Sequence, residues 1–154
     1  MARAVIGLIS AQPCSRPSFI PRSRPRSGST KYLGLAFEKA LSREFPNASS
    51  GPWYQFRDLN GDGWCQPDLV LFGTKSLLVI ECKLTWTPEA ESQLRDLYVP
   101  VLELAHGQKP RALIVCRHLT RLSPQVQVHG DLRSALGSPH KYPILHWLGK
   151  SPLI

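Results

Sequence analysis

The sequence predicts an α/β fold in which a mixed central sheet is flanked by helices. Three observations carry that expectation. Two segments have apolar residues at helical spacing. They alternate with apolar runs of strand length, about four to eight residues. One of these runs, "RALIVCR" at 111–117, is apolar on both faces, as a strand in the middle of a sheet must be. The resulting order, α-β-β-β-α-β, suggests one mixed sheet between helices.

The elements follow in chain order. Residues 10–30, "SAQPCSRPSFIPRSRPRSGST", are rich in Pro, Ser and Arg. They are predicted to be extended or disordered unless bound, as part of a basic arm over residues 1–28. A domain is expected over 29–154, with its core at 30–117. Ser29 or Thr30 caps a first helix, whose stripe is Leu33, Phe37, Ala40, Leu41 and Phe45. Pro46 ends it. "WYQFRDL" (53–59) reads as a strand and "NGDG" (60–63) as a turn. A second strand spans Asp68 to Phe72, "GTKS" turns the chain, and a third runs from Leu77 to Leu84. Thr87 and Pro88 open a second helix over about 89–105, which Pro100 should kink. After the strand at 111–117, a short strand at Val126 to His129, a helical turn at Leu132 to Leu136 and a strand at Ile144 to Leu148 complete the reading.

Composition narrows the function classes. The 154 residues carry a net charge of +8. No apolar run reaches the ~18 residues of a membrane span, so no membrane partner is expected. Ala4 to Ile9 is too short for a signal-peptide core. Cys14, Cys65, Cys82 and Cys116 are scattered, without a C-x-x-C pair, and read as reduced thiols in a cytoplasmic setting. A mitochondrial transit peptide ranks last, because the prolines of the arm oppose an amphipathic helix. Arg3, Arg16, Arg22, Arg24, Arg26 and Lys31 all precede the first acid, Glu38. Such an arm suits a polyanion, since counterion release from phosphates gives affinity without sequence reading; a solubilising tail is the plainer alternative.

The chemistry concentrates in "CQPDLVLFGTKSLLVIECKL", residues 65–84. Strand side chains alternate, so Leu77, Val79, Glu81 and Lys83 share one face. If "GTKS" closes a hairpin, Asp68 lies beside Glu81 and Lys83. Two adjacent carboxylates resist ionising together, and a divalent cation relieves that conflict. Mg²⁺ prefers oxygen ligands and keeps several waters. Asp68, Glu81 and the backbone carbonyl of Cys82 are the expected ligands, with Lys83 beside a metal-bound water or a phosphate. An ordinary salt bridge at a strand end is the competing explanation of Glu81 and Lys83.

Pro67-Asp68, twelve residues, then Glu81-Cys82-Lys83 resembles the PD-(D/E)xK nuclease superfamily. The resemblance covers about residues 30–117 and implies a restriction-endonuclease-like αβββαβ core. It implies Mg²⁺, with Mn²⁺ as a substitute, held by Asp68 and Glu81 while Lys83 assists the attacking water. It implies DNA as the substrate, with 5′-phosphate and 3′-hydroxyl products. Glu38 matches the first-helix glutamate that approaches the metal in many members. Gln93 and Tyr98 resemble the Q-x-x-x-(x)-Y signature of RecB-like members, in which the glutamine positions the site and the DNA. Glu38 replaces the histidine common in that group, which leans towards phage-type exonucleases or archaeal Holliday-junction resolvases. A phage origin would put the protein in the host cytoplasm. No cysteine follows Cys116, which excludes an iron–sulfur cluster of the kind some members carry.

DNA contacts are expected from Arg16, Arg22, Arg24, Arg26, Lys31 and Tyr98. Arg57, Lys75 and Arg117 are further candidates for the backbone, and Trp53, Trp64 or Trp86 for stacking on bases. A nuclease-fold subunit that binds or assembles on DNA without cutting is the alternative function. A homodimer, or a larger assembly through the arm, is the alternative to a monomer. Removing residues 1–28 is expected to spare the fold. "DLNGDG" (58–63) starts like a calcium loop, but Leu69 stands at the twelfth position, and strand-like flanks reject an EF-hand. The five histidines show no ligand spacing, and no P-loop is present.

Overall fold

A computed structural model describes residues 3–21, 25–150 and 152–153. Its elements are β1 (Ser10–Cys14), α1 (Thr30–Glu44), β2 (Ser49–Ser50), β3 (Trp53–Asp58), β4 (Gly61–Cys65), β5 (Leu69–Phe72) and β6 (Leu77–Thr85). Then come α2 (Pro88–Gln93), a π-helical turn (Leu94–Tyr98), α3 (Val99–His106), β7 (Arg111–His118), β8 (Val128–His129), α4 (Leu132–Leu136) and β9 (Ile144–His146).

The α/β expectation holds. A six-stranded mixed sheet has the order β2-β5-β6-β7-β9-β8. β2, β5 and β6 pair antiparallel, whereas β6-β7, β7-β9 and β8-β9 are parallel. β7 lies inside it, which explains why its two faces are both apolar. A separate three-stranded antiparallel sheet has the order β1-β3-β4.

Two apolar cores cover the two faces of the large sheet. On one, Phe37, Leu41 and Phe45 of α1 and Ala135 of α4 pack with Leu69, Ile80, Leu113 and Leu145. On the other, Leu94, Leu97, Val101 and Leu102 pack with Val79, Ile114 and Ile144, together with Tyr54 and Phe56 of the small sheet. The period-two alternation of β6 divides its side chains between these cores. Ser29 caps α1, its Oγ accepting from the Tyr32 N–H at 3.1 Å. The stripe of α1 is shorter than its spacing suggests, because Leu33 in the first turn remains exposed.

Three expectations need correction. The arm is not free over its first half. β1 pairs with β3 from Ser10↔Arg57 to Cys14↔Trp53. Ahead of it, the buried Asp58 carboxylate accepts from the Ile6 N–H at 3.1 Å and from the Arg3 guanidinium at 3.0 Å. The segment supplies hydrogen-bond partners along the edge of β3 that β4 does not occupy. Next, part of "NGDG" is strand: Gly61–Cys65 completes a hairpin with β3, reversing at Leu59-Asn60. Gly61 takes a φ of 104°, which favours glycine. Finally, the strand at 53–58 belongs to the small sheet, so the three central strands of the predicted order are split between two sheets.

The helix that Pro100 was expected to kink carries a π turn that ends at Tyr98, two residues before the proline. The Val99 N–H bonds to the Leu94 carbonyl, five residues back. Proline has no N–H to offer the Asp96 carbonyl four residues before it. The Val5 N–H takes that carbonyl at 2.8 Å. The helix defect is therefore a docking point for the N-terminal segment.

Candidate active site

Asp68 precedes β5 directly, and Glu81 and Lys83 lie near the C-terminal end of β6. Leu69 pairs with Ile80, so Asp68 stands opposite Glu81 on the same face of the sheet. The Asp68 carboxylate also accepts from the Cys82 N–H at 2.7 Å. This bond continues the ladder where β5 starts and fixes the carboxylate against β6. A residue's N–H and C=O point to the same edge of an extended strand. Cys82 therefore aims its carbonyl towards the Asp68 corner too.

Glu81 is 3% exposed. Its Oε1 lies 3.7 Å from the Lys83 Nζ, and its Oε2 is buried without a hydrogen-bond partner. Asp68 stands across from Glu81, and each carboxyl acts on the other. Burial, and then the charge of Asp68, hold the Glu81 carboxyl well above the usual range. Burial also raises Asp68, against the pull of its hydrogen bonds and of Lys83. The half-buried Glu38 of α1 enters the same field. Burial first, then Asp68, push its pKa up to about 7, while Lys83 opposes them. Three acids and one ammonium thus act on one another at this corner, and protonation relieves the crowding of negative charge.

The donors suit a hard divalent cation: two carboxylates, one with a buried oxygen lacking a partner, and a strand carbonyl. Among the described residues, no three His, Cys, Asp or Glu side chains form a ready metal cluster. Magnesium sites commonly use one or two carboxylates and keep several waters.

Gln93 and Tyr98 lie on the same side of the sheet as Glu81. Five residues apart, they would diverge by about 140° on a straight α-helix. The π turn between them removes most of that divergence, and both line one groove of about 650 Å³ with Trp53, Trp64 and Gln66. The buried Gln93 Oε1 has no partner. Tyr98 is itself buried, so it forms a wall rather than a surface contact as predicted. Burial, then the charges of Glu81 and Asp68, raise the pKa of its phenol.

The remaining predicted residues scatter. Arg16, Arg26 and Lys31 are exposed; Arg16 donates to the Ile20 carbonyl. Arg22 and Arg24 lie outside the described residues. Arg57 is engaged with Asp62 at 2.9 Å. Trp64 packs edge-on against Phe19, with ring centroids 4.9 Å apart. The four cysteines are free thiols. Among the described residues, no helix is long and apolar enough to cross a membrane. Asp58 escaped the sequence reading as the staple of the N-terminal segment; an acid ending a strand just before an Asn-Gly turn was its only signal.

No protein-family model and no curated protein matches the chain. Among solved structures, it is similar to protein VC1899 from Vibrio cholerae, with 19% identity and a TM-score of 0.40. The likeness covers 58% of this chain and 25% of that one.

Proposed function

We propose that the protein is a Mg²⁺-dependent nuclease that hydrolyses DNA phosphodiester bonds at the corner formed by Asp68, Glu81 and Lys83. The observation that carries this reading is the Asp68–Glu81 pair, with its partnerless Glu81 Oε2 and Lys83 alongside. Asp68, Glu81 and the Cys82 carbonyl would hold the ion, with Glu38 at the margin. A bound Mg²⁺ supplies Lewis-acid polarisation of the phosphate and a more acidic water. The chain's own groups do the rest. The Cys82 N–H holds one oxygen of Asp68 in place and leaves the other free of that bond. The Lys83 side chain is 27% exposed, so its ammonium can meet an incoming phosphate oxygen or hold a water while remaining beside Glu81. Gln93 and Tyr98 form the adjoining groove wall.

The test is a supercoiled plasmid with Mg²⁺ or EDTA, accompanied by linear, single-stranded and four-way-junction substrates. Nicking with Mg²⁺ that disappears in Asp68→Ala and Lys83→Ala supports the reading. Retention of DNA by folded protein without nicking on any substrate would leave a binding subunit instead. Cleavage that survives both substitutions would remove this corner from the account.

A further inference from the structure

Residues 125–127 and 140–144, beyond the stretch the motif covers, close a cleft one strand over from Glu81. Glu81, Ile114 and Ile144 are register partners on β6, β7 and β9. Their side chains point to the same face. Strands lie about 4.8 Å apart, so Ile114 is one step from Glu81 and Ile144 two. Over the two isoleucines opens a cleft of about 790 Å³, walled by Trp86 just past β6 and by Tyr142. Gln125, Gln127, His140 and Lys141, all exposed, supply its polar rim, and Glu91 is its one acid among the described lining residues.

We propose that this cleft receives an unpaired nucleobase of the strand being cut, so that the preferred substrate is single-stranded or locally unpaired DNA. The inference rests on the nuclease reading of the neighbouring acids. The cleft has the volume of a small-molecule site. The half-buried rings of Trp86 and Tyr142 can take the face of any base without reading its identity. The Gln127 amide offers both a donor and an acceptor to a base edge. Glu91 can accept from an exocyclic amino group, and Lys141 can meet a flanking phosphate. A base inside a duplex has its faces covered by the stack and its edge by its partner, so it cannot enter without being extruded.

The experiment compares binding of a short labelled single strand and of its blunt duplex to the full chain in EDTA, where no metal-dependent cleavage competes. The single strand is expected to bind roughly tenfold tighter or more, and Trp86→Ala to remove about tenfold of that affinity while duplex affinity stays unchanged. Tyr142→Ala and, at an exposed position, Gln127→Ala provide the same readout, with melting temperature as the folding control. Equal affinity for the two forms, or single-strand affinity unchanged in folded Tyr142→Ala and Gln127→Ala, overturns the proposal. Cleavage does not enter this measurement. An inactive wild-type enzyme that still prefers single strands would therefore overturn the nuclease reading and leave the cleft assigned.

Discussion

At the scale of single residues, the three acids tie stability to pH and to metal. Glu38 keeps its proton to about pH 7 in the fold but only to about 4.5 as an ordinary carboxyl. Between those values the folded state binds more protons than the unfolded chain, so stability falls as pH rises. Asp68 and Glu81 act in the same direction. The melting temperature of the protein in EDTA should therefore drop between about pH 4.5 and 7, and Glu38→Gln should flatten part of the decline. Mg²⁺ should raise the melting temperature at about pH 8 and do little at about pH 5, where protons occupy the corner. A metal effect independent of pH would remove the acids from the ion's site. Glu81→Gln should abolish metal-dependent cleavage while leaving the melting temperature at neutral pH unchanged or higher, because the amide brings no negative charge beside Asp68. Wild-type rates in that variant would dismiss Glu81. The meeting of Asp68, Glu81 and Lys83 was legible in the sequence because strand alternation and a short hairpin leave few alternatives. The partnership of Gln93 with Tyr98 was not: their spacing suits a common face only where the helix widens.

At the scale of elements, the N-terminal segment is part of the fold, and two small features hold it. Asp58 gathers the Ile6 N–H, the Asn60 N–H and Arg3. Asp96 offers Val5 the carbonyl that Pro100 leaves unused. Asp58→Ala should lower the melting temperature by several degrees, since buried donors lose their acceptor. Pro100→Ala restores a competing N–H, and hydrogen exchange at Val5 and Ile6 should accelerate there. Unchanged exchange would mean that β1 alone holds the segment. Deleting residues 1–28 removes β1 and uncovers the edge of β3, so it should lower the melting temperature; an unchanged value would mean that the fold does not need the segment. Composition concealed β1. A stretch with many Pro, Ser and Arg residues lacks a strand signature, and β1 forms by pairing along the edge of β3 that β4 does not occupy. β4 was hidden for a similar reason, since glycines at 61 and 63 read as turn until a neighbour pairs with them.

At the scale of the whole molecule, charge and core act separately. Arg16, Arg26 and Lys31 are exposed, so replacing them with Gln should leave the melting temperature unchanged. Each phosphate that the protein no longer neutralises should reduce the slope of log affinity against log salt by about 0.9 on duplex and about 0.7 on single-stranded DNA. An unchanged slope would assign the basic segment to solubility. Leu41→Ala, in contrast, empties a fully buried position between α1 and the sheet. It should cost about 2–5 kcal/mol, measured by denaturant unfolding. The chain by itself determined the alternation of helices and strands, the burial of β6 and β7, and the gathering of Asp68, Glu81 and Lys83. All of these follow from local periodicity and near-neighbour pairing. Only the tertiary structure decided which sheet each strand joins, how the N-terminal segment docks, and that residues 125–127 and 140–144 wall a cleft one strand over from Glu81. Those outcomes depend on backbone groups and side chains far apart in sequence satisfying one another, and such pairings leave no periodic trace along the chain.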